Sequence, residues 1–139
     1  MKSKLTRRES REQAFLLAFE RNFNKEPIEQ LCEMAIESRD FLVDDFTLQL
    51  IEQIEKNQEE IDALIESNAN GWSIKRISKV SLSILRLAIS ELKYTDLSDV
   101  KAENPTSVII NEAILLAKKY STSEEASFVN GVLGSVARA

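Results

Sequence analysis

The 139-residue chain has no histidine, one cysteine, three glycines and two prolines. Without histidine there is no Ser-His-Asp or Cys-His arrangement, and the commonest general base and metal ligand are missing. The lone Cys32 can neither close a disulfide within the chain nor supply a thiolate zinc cluster. It falls on an apolar helical stripe and reads as a buried structural thiol. With glycine only at 71, 131 and 134, no phosphate-cradling loop or dinucleotide fingerprint can be written. The adjacent carboxylates Asp44-Asp45, Glu59-Glu60 and Glu124-Glu125 would point about 100° apart on a helix, so they read as solvated faces or helix starts rather than acid–base pairs. No apolar run is long enough to cross a bilayer, and Met1-Lys2-Ser3-Lys4-Leu5 leads into arginines rather than an apolar signal region. The expectation is a cytoplasmic, non-enzymatic protein with no metal or cofactor.

What is present is helical. Thr6-Arg7-Arg8-Glu9 has the form of a capping box opening a helix to about Asn22, expected to be central because Ala14, Phe15, Leu17, Ala18 and Phe19 cover most of its circumference. After Pro27, the residues Ile28, Leu31, Cys32, Ala35 and Ile36 form an unbroken apolar stripe. A third helix follows from about Asp44 through Phe46, Leu50, Ile51 and Ile54. Asn57-Gln58-Glu59-Glu60 resembles a further capping box, starting a short helix through Ile61, Leu64 and Ile65. Asn68, Asn70 and Gly71 signal a turn. From Val80, the positions Ser81, Ile84, Leu85, Ala88 and Leu92 share one face, with Lys75, Lys79, Arg86 and Lys93 opposite as a solvated basic ridge. Residues 94 to 104 read as a loop ended by Asn104 and Pro105. Two more helices carry Ile109, Ala113, Leu116, Ala117 and Tyr120, then Phe128, Val129, Val132, Leu133 and Val136. The sum is an all-α bundle of about seven helices, one domain over residues 1–139.

Charge is segregated along the chain, although the net is −5. Residues 1–21 carry Lys2, Lys4, Arg7, Arg8, Arg11 and Arg21 against three acids, and residues 71–93 carry Lys75, Arg76, Lys79, Arg86 and Lys93 against Glu91 alone. Residues 22–70 hold three bases and thirteen acids. If the two basic segments meet, an acidic protein acquires a pole suited to a polyanion.

Two features break local rules. Arg7 and Arg8 occupy a helix start, where partial positive charge already favours acids. Surface solubility is one reading; the functional one is that these arginines, with Arg11 and the leading Lys2 and Lys4, grip phosphates. Asn130-Gly131 lies inside the last helix, where glycine costs roughly 1 kcal/mol relative to alanine. Either a close helix crossing or a ligand approaching the backbone would offset that cost. Phe128 reads as core, with a stacking platform for an unpaired base as the alternative.

Four ordered blocks carry a resemblance: Arg7-Arg8-x-x-Arg11-Glu12-x-Ala14-Phe15, Ile84-Leu85-Arg86-Leu87-Ala88-Ile89-x-Glu91-Leu92, Ile110-Asn111-Glu112-Ala113-Ile114-x-Leu116-Ala117-Lys118 and Phe128-Val129-Asn130-Gly131-Val132-Leu133. In order and spacing they resemble the NusB family over nearly the whole chain. The resemblance implies two helical subdomains, three helices N-terminal and four C-terminal. It implies binding of boxA RNA together with the small-subunit ribosomal protein NusE, joining other Nus factors on RNA polymerase to prevent premature termination in ribosomal RNA operons. It carries RNA contact onto Arg7, Arg8 and Arg11, and onto Glu124 to Ser127 with Phe128; Lys75 and Lys79 would extend the basic face. It places the ribosomal-protein surface at Phe19 and the exposed side of the Ser81 to Glu91 helix, Arg86 included, although Arg86 equally fits a structural ion pair.

The sequence departs from the family in two places. Phe19 stands where an aromatic with a hydroxyl is familiar, and the loop through Asp96 to Glu103 is longer than in compact members. The helical domain also resembles the N-terminal module of certain ribosomal RNA cytosine methyltransferases, whose glycine-rich cofactor loop this sequence lacks. The rival reading is a helical protein-interaction module without RNA binding, its basic ridge docking an acidic partner. A homodimer covering either surface stays open.

Overall fold

The computed structural model describes residues 5–39, 43–95 and 105–138. Among them are six α-helices and no strand: α1 (Arg7–Arg21), α2 (Ile28–Arg39), α3 (Asp45–Asn68), α4 (Lys79–Tyr94), α5 (Pro105–Tyr120) and α6 (Ser123–Arg138), with a 3-10 turn at Ile74–Arg76 before α4. The capping box at the head of α1 is complete: the Glu9 amide donates to Thr6 Oγ1 at 3.0 Å, and the Thr6 amide donates to Glu9 Oε1 at 2.8 Å. Asp44 caps α3 from one side, accepting from the Thr47 amide at 2.8 Å.

The two helices expected on either side of Asn57 are one. α3 bends there, at φ −113° and ψ 18°, while the Asn57 side chain donates to the Gln53 carbonyl at 3.0 Å and keeps that acceptor satisfied. The sequence signal thus marks a kink rather than a chain break. Cys32 is buried, as its stripe required, and burial pushes its thiol pKa up.

α4, rather than α1, is the central element. It packs against α1, α3, α5 and α6, and from Ser81 to Glu91 every residue but Arg86 is buried. Its buried serines are satisfied: Ser83 Oγ donates to the Lys79 carbonyl at 2.7 Å, and Ser90 Oγ donates to Gln53 Oε1 at 3.3 Å. α1 runs antiparallel to α4, because Arg11 meets Glu91 while Asn22 meets Ser83. α5 runs beside α1 in the same direction, because Arg8 meets Glu112 while Glu12 meets Tyr120. Phe15, Leu17, Leu50, Ile61, Ile65, Ile84, Leu85, Ile89, Ile109 and Leu133 fill the space between, each fully buried and each stabilising by roughly 1.5–3 kcal/mol.

Candidate nucleic-acid interface

The first turns of α1 place three arginines in three environments. Arg7 is exposed, its guanidinium 3.8 Å from the centroid of the Phe46 ring. The Arg8 side chain is 71% exposed, yet Nε and Nη2 donate to both oxygens of Glu112 at 3.0 and 2.9 Å. Nη1 remains on the outer edge of that fork. Arg11 is buried, and its Nε and Nη2 donate to Glu91 Oε1 and Oε2 at 2.8 and 2.6 Å. Arg11 therefore leaves the phosphate-binding set: it staples α1 to α4, and both partners are out of solvent. Lys2 and Lys4 lie outside the described residues.

Lys75 drops out of the basic ridge expected along α4, while Lys79 and Lys93 are exposed on that helix and Arg86 is half-buried. Lys75 sits in the 3-10 turn, and Ile77 is extended at φ −84° and ψ 136°, so the helical register does not run from Lys75 into α4. Lys79 is exposed and borders a groove with Arg21, Asn22, Lys25 and Arg86. Arg86 is structural, as one reading required: Nε and Nη2 donate to Asp62, both at 2.9 Å, and Nη1 donates to Asn22 Oδ1 at 3.2 Å.

The residues assigned to a protein partner divide similarly. Ser81 and Glu91 are buried, so neither presents a surface. Phe19 is half-buried and stacks between Phe15 and Phe23, with ring centroids 6.2 and 5.3 Å away. Phe23, 65% exposed, was missed by sequence reasoning. Its spacing of four from Phe19 on a helical pattern was the available signal.

At the other end of α4, Glu124 is exposed and Glu125 is half-buried. Glu125 accepts hydrogen bonds from the hydroxyls of Ser78, Ser121 and Ser81, the last two at 2.7 Å, and these hold its carboxyl below the usual glutamate range. Phe128 is half-buried, edge-on to Trp72 with centroids 6.3 Å apart and planes at 66°. Trp72 had been given no role from sequence, because it falls in a short segment with no helical period, whereas Arg76 had been counted with the basic 71–93 segment. Gly131 answers the question its sequence posed: a Cβ added there would meet nothing within 4 Å, which excludes a close helix crossing.

The sequence-derived RNA set therefore falls at two ends of one helix. Arg7 and Arg8 gather near the Glu91 end of α4, and Lys75, Glu124 and Phe128 near its Ser81 end, ten residues or about 15 Å apart. Along the α1–α5 seam between them, Lys119 Nζ donates to Glu12 Oε2 at 2.5 Å while remaining largely exposed, and Tyr120 Oη also donates to Glu12. Among the described residues no group of carboxylates or cysteines could hold a metal ion, and no helix is long and apolar enough to cross a membrane.

The profile of the NusB family matches residues 8–138. The chain belongs to the NusB family. It is 42% identical to the transcription antitermination protein NusB of Acetivibrio thermocellus over 134 residues, covering 95% of this chain and 88% of that one. Among solved structures it resembles T. maritima NusB, with a TM-score of 0.80, 33% identity, and coverage of 98% of this chain and 93% of that chain. It also resembles a chain from the crystal structure of the antitermination factors NusB and NusE in complex with dsRNA, with a TM-score of 0.79, 27% identity and coverage of 95% and 96%. In this NusB-family chain the four sequence blocks fall on the start of α1, on α4, on α5 and on α6.

Proposed function

We propose that this NusB-family chain is a non-enzymatic transcription antitermination factor of the cytoplasm. As one domain it holds boxA-like single-stranded RNA together with the ribosomal protein NusE, and the pair joins other Nus factors on RNA polymerase at ribosomal RNA operons. The observation that carries this reading is the pair of exposed guanidiniums, Arg7 and Arg8, at a helix start that intrinsically disfavours cations. A solved NusB with NusE and RNA among the structural relatives supports it. Arg7 over Phe46 and the outer edge of Arg8 over Glu112 are preset donors for phosphate oxygens. Phe19 and Phe23, on the end of α1 whose Asn22 meets Ser83 of α4, form an aromatic edge for the protein partner.

Fluorescence anisotropy across a salt series tests the RNA half of this reading. Arg7→Ala with Arg8→Ala weakens binding and flattens the dependence of log K on log salt by about one per arginine removed. Equal affinity and slope in variant and parent would take the arginines out of the interface.

A further inference from the structure

We propose that the first turn of α3 is a positioning element for Arg7. Phe46, seated by the Asp44 cap, holds the Arg7 guanidinium ready for a phosphate without itself touching RNA. This rests on the RNA-binding reading above and deepens it, because it brings into the interface a helix of the acidic segment with no cation in its first two turns.

Three observations carry it. First, Arg7 keeps every donor that its neighbours have spent. Arg8 commits Nε and Nη2 to Glu112, and Arg11 commits the same pair to Glu91. Arg7 makes no hydrogen bond and no ion pair among the described residues. A long side chain with nothing to hold it samples many rotamers, and ordering it on a ligand weakens binding.

Second, the Phe46 ring supplies a hold that leaves those donors open. Arg7 Cζ lies over the ring, 3.8 Å from its centroid, where the cation meets the negative face of the aromatic. The contact consumes none of the five N–H groups. A carboxylate in the same place would fix the side chain by taking its donors, as Glu112 does for Arg8. With the ring, the freedom of Arg7 is given up on folding rather than on binding, and the fork still faces a phosphate unpaired.

Third, the ring is fixed relative to the start of α1. Phe46 is half-buried and packs against the core. Ser10 Oγ donates to Asp44 Oδ2 at 2.5 Å, Thr47 Oγ1 donates to the Ser10 carbonyl at 3.2 Å, and the Thr47 amide donates to Asp44 Oδ1 at 2.8 Å. Ser10 and Thr47 are wholly buried, so this lock between the two helices is out of reach of water. It lies one helical turn from Arg7 and one residue from Phe46, and it sets their separation. The Asp44 carboxyl is held below the usual aspartate range, against the upward push of its burial, by the Ser10 and Thr47 bonds and by the Arg7 charge. Both Asp44 oxygens already accept from other groups, and its charge adds to the pull on Arg7 without a hydrogen bond to it.

A double-mutant cycle tests the proposal. A labelled, single-stranded boxA-like RNA is titrated by anisotropy, across a salt series, into the full chain and into Phe46→Leu, Arg7→Ala and the combined variant. Phe46→Leu is expected to bind roughly two- to five-fold more weakly than the parent, and Phe46→Tyr to bind as the parent does. The slope of log K against log salt stays at the parental value in Phe46→Leu, because the phosphate contact survives, whereas Arg7→Ala lowers it by about one. In the Arg7→Ala background Phe46→Leu changes nothing further. A ring that only filled the core would lower the urea midpoint without this coupling to Arg7. Equal affinity of parent and Phe46→Leu would overturn the positioning role while leaving the RNA reading in place. The same loss in both backgrounds would also overturn it, since the ring would then act apart from Arg7. Absence of RNA binding by the parent would overturn the RNA reading and the positioning role with it. Should Phe46→Leu fail to fold by circular dichroism, Phe46→Met takes its place in the cycle with the same expected results.

Discussion

A guanidinium can meet a phosphate only with the donors its own fold leaves unpaired, and the arginines of α1 differ in that respect alone. Arg11 has its fork on Glu91 with both groups buried, so removing one partner strands an uncompensated charge in the interior. Arg11→Ala is expected to destabilise the fold by about 3–5 kcal/mol, and Arg7→Ala by no more than about 0.5 kcal/mol. Urea denaturation of the two variants checks this, and equal midpoints would show that the buried pair contributes nothing. The sequence placed all three arginines correctly on one helix. It could not separate them, because the partner of Arg11 lies 80 residues away and no local pattern reports it. Glu125 shows the same limitation: it reads as a helix-start acid, whereas in the fold three serine hydroxyls converge on it. Its folded pKa is depressed below the unfolded one, so its stabilisation is present above the unfolded value and is lost as pH falls through the folded value, beneath the usual glutamate range. Ser121→Ala removes one donor and should reduce the acid sensitivity of the urea midpoint while lowering stability at neutral pH.

Elements were more legible than their partners. The caps at Thr6 and Asp44, the helix at Pro105 and the α5–α6 boundary follow from local chemistry, because a cap is decided within four residues. The kink at Asn57 follows too, but whether a capping signal ends a helix or only bends it depends on tertiary packing, which holds Ile54 and Ile61 in one core on either side. The centrality of α4 was hidden by its serines, which a hydropathy pattern counts as surface. The loop expected through Asp96 to Glu103, to which the resemblance carries no role, lies outside the described residues. Gly131 offers a prediction at this scale. Its backbone is within α6, and a Cβ would enter open space, so Gly131→Ala gains helix propensity without a clash. The expected outcome is stabilisation by about 0.5–1 kcal/mol, read as a higher urea midpoint; destabilisation would mean that the site is closer packed than its open surroundings indicate.

For the whole molecule, the decisive fact is where positive charge is left accessible. The acidic segment of residues 22–70 sets the sign of the net charge, but within 8 Å or so of a surface at physiological salt the local groups dominate. Those groups fall at the two ends of α4, Arg7 and Arg8 at one and Lys75 and Arg76 at the other, with exposed Lys118 and Lys119 on the seam between. One strand that engages both ends must run the length of the α1–α5 seam, and a strand too short to do so can sample only one end at a time. Shortening a boxA-like RNA stepwise from a single terminus should therefore first abolish the effect of Arg76→Ala or of Arg7→Ala, and not both together. Shortening from the opposite terminus should reverse which variant becomes silent. This polarity also fixes strand direction along the seam, since the terminus whose removal silences Arg76→Ala is the one seated at the Trp72 end. If both variants lose their effect at the same RNA length from either terminus, the two ends do not share one extended strand.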